Sequence, residues 1–162
     1  GEDAKPGSIL LGYEHYSGYL ARIKHYMTNE IVYKHQGVTT EIPALLPRLR
    51  VGKKDIRTWV DHFFLSDIYI IGMSLDFVEM HLWWLLHYRA RRKVNSEINI
   101  DNHIHFLYPS SDQSWIKSRI ALLCACQVEC IPVPVQRQNW KRTYESAINL
   151  IRSGIQEAKS TG

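Results

Sequence analysis

The stretch that decides the fold is "DIYIIGMSLDFVEMHLWWLL", residues 67–86. After Asp67 the run "IYII" is apolar on both faces, the pattern of a strand buried on each side of a parallel sheet. Gly72 ends that run. From Asp76 to Lys93 the sequence is apolar nearly all round, as in a helix packed on a sheet and covered on its outer side. Strand, glycine turn and helix in that order make a βα unit. The turn falls at the carboxyl end of the strand, where open parallel sheets bind ligands.

The same alternation continues on both sides. Residues 8–13, "SILLGY", read as a short strand, and 14–27 as a helix with Tyr16, Leu20, Ile23 and Met27 at helical spacing. Residues 28–50 hold a strand-like "IVYKH" followed by Pro and Gly signals, so they read as a flap or loop insertion. "KKDIRTWVDHFFLS" predicts a helix with Ile56, Trp59, Val60, Phe63 and Phe64 on one face. "HIHFLY" predicts a strand, residues 112–127 a helix, "VECIPVPV" a strand held at a sheet edge by Pro132 and Pro134, and residues 139–158 a closing helix. That helix carries Trp140, Tyr144, Ile148, Ile151 and Ile155 on one stripe. The expectation is a single α/β domain over residues 1–162, three-layered, with a mainly parallel sheet and helices on both faces.

Composition agrees with a globular domain: 45% hydrophobic, 22% charged, with five Trp and nine Tyr. A net charge of +4 suits an anionic ligand or nucleic acid without requiring either. The densest basic run, "RARRK" at 89–93, ends a helix, where cations oppose the negative end of the helix dipole. Three cysteines, an odd number in a chain of 162 residues, point to a reducing compartment and a cytoplasmic location. The opening "GEDAKPGS" lacks the apolar core of a secretory signal.

Of the strand ends at Gly72–Ser74, Tyr108–Ser111 and Val133–Gln136, the turn at Gly72 has the best chemistry. Gly72 allows close approach of backbone to a ligand. Ser74 offers a hydroxyl at an expected helix N-terminus, where free N–H groups favour an anion. Asp76 is placed to accept hydrogen bonds from ribose hydroxyls. The competing structural role is a helix cap at Ser74 with a favourable first-turn charge at Asp76.

"IIGMSLD" resembles the glycine–x–serine–leucine segment of sirtuins and their bacterial sirtuin-like relatives. "KPGSILLGYEHYSGYL" and the double Trp83–Trp84 of "EMHLWWLL" are similar to segments of the bacterial branch, and the likeness spans residues 7–135. The resemblance implies a Rossmann-like fold with NAD, or an ADP-ribose-like nucleotide, as cofactor. It puts Gly72, Met73, Ser74 and Leu75 at the cofactor, and Tyr108 to Ser110 near its adenosine half. Sirtuins more often carry an Asn in this last stretch, and none stands there in this chain. It also implies NAD cleavage by a full-length protein, of a bacterial phage-defence type. No G-x-G-x-x-G or G-A-G turn occurs in the chain, and the family's catalytic His and Asn would precede Pro6. The expectation is therefore the C-terminal half of such a domain, inactive alone, completed by a missing N-terminal half or a partner subunit. The alternatives are a non-catalytic interaction scaffold and a basic nucleic-acid-binding module.

Other chemistry-bearing residues read as structural. Cys124, Cys126 and Cys130 lack the paired spacing of thiolate zinc sites. His103 and His105 share one strand face with no third ligand in view. The acid–histidine neighbours Asp61–His62 and Glu79/His81 cannot face each other on a helix. Trp83 and Trp84 suit a core as well as a base stack. No metal is expected.

Overall fold

The computed structural model describes residues 13–76, 79–95, 98–110, 114–135 and 139–160. The helices are α1 (Tyr13–Thr28), α2 (Leu45–Arg50), α3 (Trp59–Leu65), α4 (Met80–Val94), α5 (Ser114–Ala125) and α6 (Trp140–Ser160). The strands are β1 (Ile31–His35), β2 (Val38–Ile42), β3 (Ile68–Ile71), β4 (Ile104–Pro109) and β5 (Glu129–Val133). The chain is thus a mixed α/β protein.

Strands β3, β4 and β5 form a parallel sheet in that order, with Ile70 opposite Phe106 and Phe106 opposite Cys130. β5 takes an edge, as its prolines require, since Pro132 has no N–H to give a further strand. Period-two alternation splits the sheet's side chains between two clusters. Ile70, Ile104 and Phe106 join the large core with Ile23, Met27, Phe64, Leu85, Leu86 and Leu123. Leu107 and Val133 join a small one with Ala147, bordered by Tyr69, Ile71, Ile131 and Ile151.

Three local readings change. Tyr13 begins α1 rather than ending a strand; the rest of the expected strand at 8–12 lies outside the described residues. Residues 28–50 hold an antiparallel hairpin, β1–β2, and the short α2. Gln36 and Gly37 both have positive φ (47° and 78°), which a two-residue hairpin turn of matching twist demands. The helix expected from Lys53 starts only at Trp59, leaving Ile56 48% exposed ahead of it. Asp61 sets that start: its Oδ2 accepts the Thr58 backbone N–H at 2.6 Å and the Thr58 hydroxyl at 3.1 Å.

Asp61 is also the centre of a buried polar network. It is fully buried, and Arg48 is 3% exposed. Arg48 Nη2 donates to Asp61 Oδ1 at 2.5 Å and to the Tyr26 hydroxyl at 2.8 Å, and Tyr26 donates to Asp61 Oδ2 at 2.6 Å. α1, α2 and α3 are joined at this one point. Burial pushes the Asp61 carboxyl up, but the bonds from Tyr26, Thr58 and Arg48 outweigh it and hold the group below its usual range. Burial, and then the bond to Asp61, pushes Tyr26 up from 10.0 to about 12. A raised folded-state value means that this contribution is complete below the unfolded value and disappears as pH rises through the folded one. Stability should therefore fall between pH 10 and about 12. Urea midpoints across that window should fall less steeply for Tyr26→Phe; an unchanged slope would remove Tyr26 from the account.

A second network ties α4 to the approach to β4. Arg89, 1% exposed, donates through Nε and Nη2 to Asn102 Oδ1 at 3.3 and 3.1 Å, and through Nη2 to the Asn102 carbonyl. Asn102 Nδ2 donates to the carbonyls of Phe63 and Ser66 at 3.2 and 2.6 Å, capping the end of α3. The basic run at 89–93 is therefore not one surface, because its first member is a core residue.

Candidate functional site: the turn after β3

β3 ends at Ile71, and two residues with positive φ follow it. Gly72 has φ +69° and Leu75 φ +50°. The second left-handed residue turns the Leu75 side chain into the main core, where it is 1% exposed, and Trp83 Nε1 donates to its carbonyl at 3.0 Å. α4 begins at Met80, with Glu79 as its cap residue. Ser74 therefore neither caps α4 nor stands at its N-terminus, contrary to expectation.

The Ser74 hydroxyl instead donates to Asp76 Oδ2 at 2.9 Å. Arg119, reaching from α5, donates through Nη1 to the Ser74 carbonyl at 2.5 Å and through Nη2 to Asp76 Oδ1. The Asp76 carboxyl is held below its ordinary range, first by the Ser74 hydroxyl and then by the Arg119 guanidinium. This triangle braces the turn and clips it to α5.

In front of the turn is a cavity of about 220 Å³ at the carboxyl ends of β3 and β4. Gly72, Met73, Ser74 and Tyr108 line it, four of the residues that the sequence pointed to. Leu75 faces the core, Asp76 faces Arg119, and Ser110 lies beyond the rim, its N–H bonded to the Val133 carbonyl at 2.9 Å. The rest of the wall comes from Ile71, Leu107, Pro109, Val133, α5 and the first two turns of α6, with Trp140, Thr143 and Tyr144 foremost. Sequence reading had placed Trp140 and Tyr144 on a stripe without linking them to the turn. Their 4-residue spacing at the start of a helix following a strand end was the available signal.

Gly72 is tightly used. A Cβ there would meet the Tyr144 hydroxyl at 2.9 Å. Any side chain at 72 would push Tyr144 out of the cavity wall, besides straining a positive φ. Among the described residues no charged side chain lines the cavity. Its walls are aromatic and aliphatic, with Thr143, Tyr144 and Tyr108 as the hydroxyl-bearing side chains besides Ser74, whose hydroxyl is given to Asp76. Such a lining suits a flat, largely uncharged ring with a few hydrogen-bonding edges.

The remaining candidates fall elsewhere. His105 Nδ1 is 3.0 Å from Glu129 Oε2 and its ring stacks on Tyr69 at 4.6 Å, while His103 Nδ1 is 3.7 Å from Asp67. His62 Nδ1 lies 2.9 Å from Ser66 Oγ, away from the Asp61 network. His81 packs on Tyr19 and Trp59, and burial pushes its pKa down. Trp84 stacks on Tyr88 at 4.8 Å under Lys24. The cysteines are unpaired in disulfides; burial, then the neighbouring Cys124, pushes the Cys130 thiol up to about 12. Among the described residues no group of three or more His, Cys, Asp or Glu is gathered to hold a metal ion. None of the described helices is long and apolar enough to cross a membrane.

Fold and site define a class: an α/β protein with an aromatic cavity at the carboxyl ends of parallel strands. Beyond that class, no protein-family model, curated protein or solved structure matches the chain.

Proposed function

We propose that this chain is the cofactor-holding, C-terminal part of a sirtuin-like domain with a three-layer, Rossmann-like arrangement, and that its ligand is NAD or an ADP-ribose-like nucleotide. The observation that carries this reading is the aromatic cavity opening onto Gly72, Met73 and Ser74 at the carboxyl ends of β3 and β4. A Cβ at 72 would meet the Tyr144 hydroxyl, so the glycine makes room for Tyr144 in the cavity wall.

The cavity's volume, about 220 Å³, is below the roughly 300–1000 Å³ of pockets that enclose a drug-sized molecule. It suits one ring of the nucleotide, with an attached ribose at the Ser74 and Tyr108 rim. The charged diphosphate would lie outside, against the Gly-rich turn that this chain lacks and a missing N-terminal half or partner subunit would supply. NAD cleavage, of the bacterial defence type, belongs on this reading to the completed protein in the cytoplasm.

Titration calorimetry with NAD, ADP-ribose, adenosine and nicotinamide tests it. At least one of the mononuclear pieces should bind, and Gly72→Ala should weaken that binding tenfold or more by displacing Tyr144. Absence of heat from all four ligands at millimolar concentration would overturn the proposal. A second reading, the non-catalytic interaction scaffold, is favoured by the apolar residues that α6 leaves exposed.

A further inference from the structure

α6 is the longest helix, 21 residues, yet it gives the sheet little. Ala147 and Thr143 are buried and Ile151 half-buried. Beside that line runs a second one that nothing covers among the described residues: Tyr144 is 48% exposed, Ile148 42% and Ile155 41%. Asn149, Ser153 and Gln156 occupy the outward face, so the apolar line forms a bounded stripe.

The spacing along this stripe is that of a helix-pairing seam. Tyr144, Ile148, Ile151 and Ile155 are separated by four, three and four residues, as d, a, d and a positions of a heptad, with Ile151 at the border between this stripe and the sheet-facing line. In that frame Glu145 and Arg152 both fall at e, flanking the seam. Both are exposed, and among the described residues Glu145 makes only a 4.0 Å contact with Lys141 along its own helix. In an antiparallel pair of identical helices, e faces e of the partner. Glu145 of each copy then meets Arg152 of the other, twice by symmetry. A parallel pair would set e against g, where Ala147 and Gly154 stand, and would leave both charges unmatched.

We propose that α6 is a self-association surface, through which a second copy of this chain docks antiparallel along Tyr144, Ile148, Ile151 and Ile155. The self-complementary charge pair selects this occupant over an unrelated apolar partner. A seam of one helix is small, so the dimer is a weak one, forming in the micromolar range. Tyr144 belongs to both the seam and the cavity wall, but Ile148, Glu145 and Arg152, the positions that the test alters, do not line the cavity.

Sedimentation equilibrium from micromolar to millimolar protein tests it, with circular dichroism to confirm folding. Wild type should pass from monomer to dimer. Ile148→Asp, at an exposed position, should weaken association at least tenfold. Glu145→Arg and Arg152→Glu should each weaken it, and the double exchange should restore it. A monomer throughout the range, a dimer indifferent to Ile148→Asp, or failure of the double exchange to rescue would each overturn the proposal.

Discussion

Replacing Asp61 by Ala should cost about 3 kcal/mol of stability, lowering the melting temperature by about 6–12 °C. Asp61 is fully buried and accepts from Arg48, Tyr26, Thr58 and the Arg57 backbone N–H. Its removal strands a guanidinium that is 3% exposed. The loss stays near the low end of the range for broken buried pairs because Arg48 Nη1 keeps Asp55, at 3.1 Å from Oδ1. Removing both charges in Asp61→Ala/Arg48→Met should recover part of the loss, since no uncompensated ion then remains. Urea unfolding of the two variants is the measurement. An Asp61→Ala protein within ~0.5 kcal/mol of wild type would show that the network is not what joins α1, α2 and α3.

Asn102→Ala should be comparably severe, about 3 kcal/mol. Asn102 meets a buried cation with its oxygen and the closing carbonyls of α3 with its nitrogen. Alanine leaves Arg89 with the backbone carbonyl alone, and the Phe63 and Ser66 carbonyls without this donor. Arg89→Met should cost less. Burial already pushes the Arg89 pKa down, so the charge is held at a disadvantage, and Met fills much of the same space. Melting temperatures of the two variants decide the matter; the reverse order would mean that the guanidinium, not the amide, organises this junction.

Both networks were hidden in the sequence for the same reason. Asp61 stood there as one half of an acid–histidine pair, and Arg48 as a cation in a loop. Their true partners are 13 and 35 residues away. Arg89 looked like a member of a basic surface run, but its partner lies 13 residues on, across a connection between α4 and β4. A charge run along a chain does not reveal which member a distant amide will draw inside.

The candidate site was legible in part. Gly72 and Ser74 were reached from the rule that ligands sit beyond the carboxyl ends of parallel strands, and Met73 and Tyr108 through the sirtuin resemblance; all four line the cavity. Leu75 was grouped with them by the sirtuin resemblance, and Asp76 as an acceptor for ribose hydroxyls. Backbone dihedrals then separated them: φ +50° at Leu75 turns that side chain to the core and leaves Asp76 to Arg119. Trp140, Thr143 and Tyr144, which close the cavity, follow the turn by about seventy residues, too far for any local pattern to join them.

By itself the sequence determined the kinds of element and their order from β3 onward, because periodicity, glycine and proline act over a few residues. It also determined that β5 lies at an edge, since a proline there has no hydrogen to share. Tertiary structure alone decided where α4 begins, which charges are buried, and that the start of α6 faces the glycine turn. Those outcomes depend on contacts between residues distant along the chain, where burial and hydrogen-bond satisfaction are settled jointly rather than locally.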